Sequence, residues 1–484
     1  MRGRPVGDGV FLDAWARRDQ TIGMSVPRSA PVVIRHACPT LAAPMRTGDG
    51  FLARLPPLPR AMTPDQLAGI AAAARRHGNG LVEISKRGNF QIRGLAEQGG
   101  AALATDLAAL GFDLPIGLPI SVDPLYELHP PPVDPAGLVA ALHGRLDETG
   151  LADRLAPKLS IVLDFGTRFR PAALTGDLRF RFEGDGARVG LGGDDRSADW
   201  IGLVPQESVV AAAEAILSCL AEFGPLARLS GPRGLRESLR FRKALQPVAM
   251  GAEMPAVQPS PAWTGSASVL DIAFPFGQCE ADPLARLADA AQAAGIAGIA
   301  PAPERRLLLA GGPAAVRKLS TVAEALGFIV EARDPRLSLS ACIGSKGCSS
   351  GSIPARTLAT RLAEAVPDLF DGSFHLHLAG CGKGCAHPEP AAITLSALDK
   401  GVTIVLDGRA GDPGSGIIAA DAVVGRIKAL GRAVGRLRLG DERSGEVLAR
   451  MGRAHIEAAL FGTGSIGETG NGPERDGDGN RLSA

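Results

Sequence analysis

Four cysteines in two glycine-rich stretches constrain this sequence more than any other feature. Cys342 and Cys348 stand in ACIGSKGCSSG with five residues between them, and Cys381 and Cys385 in GCGKGCAHP with three between them. Four thiolates can enclose a cubane [4Fe–4S] cluster when two short loops bring them together. Gly344, Gly347, Gly380, Gly382 and Gly384 suit such loops. Glycine lets the backbone curl tightly and aim N–H groups at sulfur, which stabilises a negative cluster. One alternative is a structural zinc site, whose usual spacing of about two to four residues fits the five-residue gap poorly. Another is four unrelated buried thiols. Cys38, Cys219 and Cys279 are isolated and read as ordinary core or loop residues.

Seven cysteines in 484 residues, without an apolar leader, favour metal or redox use over a disulfide framework. They point to a reducing, cytoplasmic location. The length exceeds a single core of ordinary size and predicts two to four domains. A net charge of +1 argues against broad attraction to nucleic acid or membrane. No run of about 18 apolar residues is present, so no membrane span is expected.

Two segments read as distant copies of one unit. One runs from about Gly50 to Phe112 and the other from about Val269 to Phe328. Each predicts strand, helix, strand, strand, helix. Short apolar alternation marks the strands, as at Leu81–Ile84 and Phe90–Ile92. Period-3.6 apolar residues mark the helices, with Thr63 and Asp282 as expected N-caps and proline just inside. Each copy is followed by a longer α+β stretch. The first holds LAPKLSIVLDFG and a helix over Glu207–Phe223, and the second holds FHLHLAGCGKGC, AAITLSAL and the hairpin-like GVTIVLDGRAG.

At the cysteines the text resembles the cluster signature of the sulfite and nitrite reductase superfamily. HLAGCGKGCAHPEPAAITL, ACIGSKGCSSG and ACPTLAAPMRTGDGFLARL are similar to its precorrin-3B synthase branch. The likeness spans roughly Cys38 to Gly462. It implies an α+β, pseudo-two-fold duplicated fold with two ferredoxin-like units and two larger α+β units. The expected division is an arm (1–36), a first ferredoxin-like unit (37–115) and a first larger unit (116–249). A linker (250–268), a second ferredoxin-like unit (269–335), a cluster-binding unit (336–462) and a disordered tail (463–484) follow.

The resemblance also implies site residues. Cys342, Cys348, Cys381 and Cys385 would hold the [4Fe–4S] cluster, and Cys385 would be a possible axial ligand to a haem-type iron. SKRGNFQ resembles the family's anion-binding segment, so Arg87, Asn89 and Gln91 match it, with Arg93 just beyond. In APKLS, Lys158 matches the first of two family lysines while Ser160 replaces the second. On the first strand Arg54 remains, but Leu52 replaces a second arginine. This thinned cage points away from reduction of a small oxyanion, which needs dense positive charge. It suits a polycarboxylate tetrapyrrole bound by Arg54, Arg87, Asn89, Gln91, Arg93 and Lys158, with Arg35 and Arg46 as further candidates.

The activity implied is oxygen- and reductant-dependent conversion of precorrin-3A to precorrin-3B in aerobic cobalamin biosynthesis. The alternative is a sirohaem-dependent sulfite or nitrite reductase. Dioxygen would be a co-substrate and NADH the ultimate donor. No G-x-G-x-x-G follows a strand, so a separate reductase or ferredoxin would deliver the electrons. The branch is associated with a second iron centre, non-haem or sirohaem-type. His375 and His377, alternating on a predicted strand, and His387 are the histidines to weigh for it. The competing reading for each is a hydrogen-bonded structural histidine.

Overall fold

The computed structural model describes residues 39–128, 130–166, 174–230, 234–235, 238–249, 268–398 and 401–462. The expected arm and tail, with Arg35, Cys38 and nearly all of the linker, lie outside the described residues.

The first repeat comprises β1 (Met45–Thr47), β2 (Gly50–Arg54), α1 (Pro64–His77), β3 (Leu81–Ile84), β4 (Phe90–Leu95) and α2 (Gly99–Ala109). Thr63 and Gln66 form a reciprocal capping box that starts α1, with Pro64 at its first position. Leu67, Ile70, Ala71 and Ala74 then recur at helical spacing and are fully buried. A first larger unit follows: β5 (Ile120–Ser121), α3 (Pro135–Glu148), β6 (Ile161–Asp164), β7 (Leu178–Glu183), β8 (Gly186–Leu191), β9 (Asp199–Pro205), α4 (Val209–Ala221) and α5 (Ser238–Leu245).

The second repeat comprises β10 (Ser268–Ala273), β11 (Gln278–Glu280), α6 (Ala281–Ala294), β12 (Gly298–Ala302), β13 (Arg306–Gly311) and α7 (Pro313–Ala325). The last unit holds β14 (Leu339–Ala341), α8 (Ala355–Ala365), β15 (Leu376–Ala379), β16 (Ala391–Leu398), β17 (Gly401–Gly408), β18 (Gly416–Ile418), α9 (Val423–Leu437) and α10 (Ser444–Phe461).

The duplication is visible in the hydrogen bonding. The two larger sheets have the orders β5-β6-β7-β8-β9 and β14-β15-β16-β17-β18. In each, the first two pairings are parallel and the last two antiparallel. The repeats exchange strands. β11 pairs antiparallel with β3 and completes the sheet β1-β2-β4-β3-β11. In return Met62, from the first repeat, bridges to Ile299 in β12. Helices α1 and α6 pack on each other. Leu67, Ile70 and Ala74 thereby share one core with Leu284, Leu287 and Ala291. Alanine on both helices lets them approach closely, which suits a chain with 4% aromatics.

One boundary differs from expectation. Helix α6 begins at Ala281 with Glu280 as N-cap, so Asp282 lies in the first turn. The strand β11 runs directly into the helix, and the Ala281 N–H bonds to the Gly80 carbonyl at 2.9 Å. Tertiary pairing therefore satisfies a helix-end N–H that the sequence reading left to a side chain. Asp282 pairs with Arg75 of α1 instead, at 2.5 Å.

Candidate cluster-binding site

Parallel strands end at the same edge of a sheet, and that edge is where open sheets place ligands. β14 and β15 are parallel neighbours with Ala341 opposite Leu378. Cys342 follows the first strand directly and Cys381 follows the second after Gly380. The Gly380 N–H donates to Cys342 Sγ at 3.1 Å. The Ser352 N–H donates to the Gly380 carbonyl and the Cys348 N–H to the Gly344 carbonyl, both at 2.9 Å. The two glycine-rich loops therefore meet. At Gly380 a Cβ would stand 3.0 Å from Gly344 Cα and 3.2 Å from Cys342 Sγ, so a side chain there would push the two loops slightly apart.

Burial pushes the Cys342 thiol above its ordinary pKa. The Gly380 and Gly344 N–H groups pull it part-way back, and the nearby Cys381 and Cys348 thiols push it up again. Three of the four thiols thus share one neighbourhood. Cys385, four positions beyond Cys381, is exposed. Among the described residues no three His, Cys, Asp or Glu side chains are arranged to hold one metal ion. A zinc ion would draw its thiolates to about 2.3 Å. A cubane takes one thiolate per iron and keeps its four sulfurs apart, so the donor set and the N–H-lined loops fit a cluster better than zinc. Cys219 and Cys279 are buried on α4 and β11, each within a hydrophobic core. Burial lifts the Cys279 thiol to about 12.

Behind the second loop lie the histidines. His375 and His387 stack with ring centroids 4.6 Å apart, and His377 is tilted against His387 at 5.6 Å. A Cβ on Gly384 would be 3.7 Å from His377 Cε1. His375 Nε2 is 2.7 Å from Ser340 Oγ, which also accepts from Arg305 at 3.1 Å. The rings stack rather than converge, so these three side chains form an imidazole cluster and not a ready metal centre. His377 is fully buried, and neither ring nitrogen has a hydrogen-bond partner. Burial, reinforced by neighbouring positive charge, lowers His375 and His377 each to about 3.

A stability prediction follows from those two values. Between about pH 6.5 and pH 3 the unfolded chain binds protons on both histidines while the folded chain does not. Stability from this source is therefore full above pH 6.5 and is lost as pH falls towards 3. Urea unfolding at pH 7 and pH 4.5 is expected to show a smaller acid loss for His377→Phe than for wild type. An equal loss in both proteins would refute the assignment.

The expected substrate residues divide into two groups. Arg93 is locked in place. Its Nη2 and Nε reach Asp49 at 2.6 and 2.8 Å, and its Nη1 reaches Glu83 at 3.2 Å. Gln91 is buried and donates to Glu83 at 2.7 Å, and Asn89 is buried and donates to the Leu55 carbonyl at 3.4 Å. All three are thus engaged by neighbouring groups of the protein. Arg54 gives its Nε to Gln91 at 2.8 Å, Arg87 donates to the Thr175 carbonyl at 2.6 Å, and Lys158 is exposed in the turn before β6. Leu52 is buried, as is Ser160, whose N–H donates to Asp177 at 3.0 Å.

Arg305 was not singled out by its motif. It precedes β13 as Arg87 precedes β4, so the repeat itself carried the signal. Both Glu304 and Arg305 have positive φ, 59° and 63°. This strained turn aims the Arg305 guanidinium at Ser340 and at the Ala386 carbonyl, 2.5 Å away.

Paired repeats, paired five-stranded sheets and a cysteine-lined edge define a protein of the nitrite and sulfite reductase fold. Residues 43–110 match the family model described as the nitrite/sulfite reductase ferredoxin-like half domain. The solved NirA protein of Mycobacterium tuberculosis superposes with a TM-score of 0.60, covering 84% of each chain at 18% identity. A curated relative, the precorrin-3B synthase of a Sinorhizobium species, is 35% identical over 438 residues, which cover 88% of this chain and 94% of the relative. The chain belongs to the precorrin-3B synthase family.

Proposed function

We propose that this oxidoreductase converts precorrin-3A to precorrin-3B, using dioxygen and two reducing equivalents. One oxygen atom enters as a hydroxyl at the meso carbon between rings A and D, and the ring A acetate closes a lactone. The other oxygen leaves as water. The observation that carries this reading is the meeting of the two cysteine loops at one sheet edge, in a chain with this family's sequence.

A bound cluster would supply electrons one at a time for the activation of dioxygen, which in its triplet ground state does not react directly with a closed-shell macrocycle. Cys342, Cys348, Cys381 and Cys385 hold it, and the Gly380 N–H offsets charge on the Cys342 sulfur. Arg54, Arg87 and Lys158 take substrate carboxylates, since guanidinium and ammonium groups pair with them by charge-assisted hydrogen bonds. Asn89, Gln91 and Arg93 support the strands beneath. The stacked histidines give no support to a second iron held by all three. Electrons come ultimately from NADH through a separate reductase or ferredoxin. Among the described residues no helix is long and apolar enough to cross a membrane.

Leu52 and Ser160 disfavour sulfite or nitrite reduction, because uncharged side chains stand at the two places where the resemblance expects cations. Aerobic incubation with precorrin-3A and a reducing system is expected to yield a product heavier by one oxygen atom. Unchanged substrate from protein fully loaded with iron and sulfide would overturn the reading. Sulfite-dependent oxidation of reduced viologen would replace it.

A further inference from the structure

We propose that Gly48, in the β1–β2 hairpin, positions the Cys348 thiol for cluster binding, and that Asp49 and Arg93 hold this hairpin in place. The inference rests on the cluster reading above and adds residues from the opposite end of the chain to that site.

A Cβ on Gly48 would stand 2.2 Å from Cys348 Sγ, well inside van der Waals contact. The Ser349 N–H donates to the Gly48 carbonyl at 2.9 Å, so the backbone beside the sulfur is pinned to the same glycine. Gly48 does not have a positive φ. Its backbone would accept alanine, and only the thiol opposes one. The easiest relief for that clash is rotation of Cys348, which carries the sulfur away from its place.

The hairpin is itself anchored. Asp49 follows Gly48, and its side chain is 2% exposed. It receives two bonds from Arg93 and one from Asn79 Nδ2 at 3.2 Å. Thr47 Oγ1 donates to Asp49 Oδ1 at 2.8 Å. The Arg93 pair holds the Asp49 carboxyl below its usual range, against the upward push of burial. Arg93 in turn is braced by Glu83. A rigid chain of contacts therefore runs from Glu83 through Arg93 and Asp49 to Gly48 and the sulfur. This gives Arg93 a positioning role rather than a substrate-binding one.

The test uses full-length protein carrying Gly48→Ala, Arg93→Lys or Gly144→Ala. Gly144 lies on α3 with open space around it. Arg93→Lys keeps the charge but loses the two-pronged grip on Asp49. Iron and acid-labile sulfide per chain are measured during exposure to a chelator, together with the electron paramagnetic resonance spectrum of the reduced protein. Gly48→Ala is expected to hold its cluster about 10–100-fold more weakly, as for loss of an outer-shell partner, and to alter the spectrum. Arg93→Lys is expected to do the same to a lesser degree, and Gly144→Ala to match wild type. Far-UV circular dichroism verifies folding, and if Gly48→Ala fails to fold then Arg93→Lys decides. Folded variants with wild-type iron, sulfide and spectrum overturn the inference, even if their thermal stability falls. Wild type without iron and sulfide would instead fail the cluster reading itself.

Discussion

Replacing Cys381 with serine is expected to reduce turnover of precorrin-3A by more than about 100-fold, beyond the range typical of losing an outer-shell partner. Serine is nearly the same size as cysteine, so the loop after β15 has no steric reason to rearrange. The chemistry differs. Iron requires a thiolate, which cysteine can supply, whereas an aliphatic hydroxyl stays protonated. Cys381 also lies near enough to Cys342 to push that thiol up. Iron and sulfide content is expected to fall with activity, while the circular dichroism spectrum stays close to wild type. Cys219→Ala, on buried α4, is the matched control and is expected to keep its cluster. A Cys381→Ser protein with full iron, full sulfide and full turnover would remove Cys381 from the ligand set.

The largest expected loss of stability comes from Asp177→Ala, at about 3–5 kcal/mol, the range for leaving one partner of a buried ion pair alone. Asp177 is 0% exposed. Its two oxygens accept from Arg228 at 2.7 and 2.8 Å, from the N–H groups of Leu229 and Ser230 at 2.9 and 3.0 Å, and from the Ser160 N–H at 3.0 Å. Alanine would leave the buried Leu229 and Ser160 N–H groups without their acceptor and the half-buried Arg228 without its partner. Because Ser160 precedes β6 directly, the same change loosens the turn that presents Lys158. Equilibrium urea unfolding measures the first effect, and the KM for precorrin-3A measures the second. A stability change under about 1 kcal/mol would show that water replaces the carboxylate.

Much of this architecture can be read from local chemistry. Thr63, Pro64 and Gln66 specify a helix start within four residues, and α1 begins there. The glycines around the four cysteines announce tight loops because their need for close backbone approach is local. What escaped the sequence depends on residues far apart in the chain. Asp282 has the composition of an N-cap, but the pairing of β11 with β3 supplies that helix end with a partner from the other repeat. Arg93 stands two positions after Gln91 in a segment resembling an anion-binding motif. Only the fold reveals that Asp49, 44 positions earlier, already occupies its guanidinium. The stacking of His375 on His387 likewise comes from a loop that turns back across the end of β15. The place of Gly48 against Cys348 could not be inferred from either segment alone.

The strand exchange has a consequence for how the chain is made. Glu83 and its neighbour Gln278 are 195 positions apart, so one edge of the first sheet has no companion until the second repeat has been translated. At ordinary ribosomal speeds that interval is roughly 10–40 s. During this time a bare row of backbone donors and acceptors beside β3 invites pairing with any passing strand. Expression of the N-terminal half alone should therefore give insoluble protein, and slower growth or added chaperone should raise the soluble yield of the whole chain.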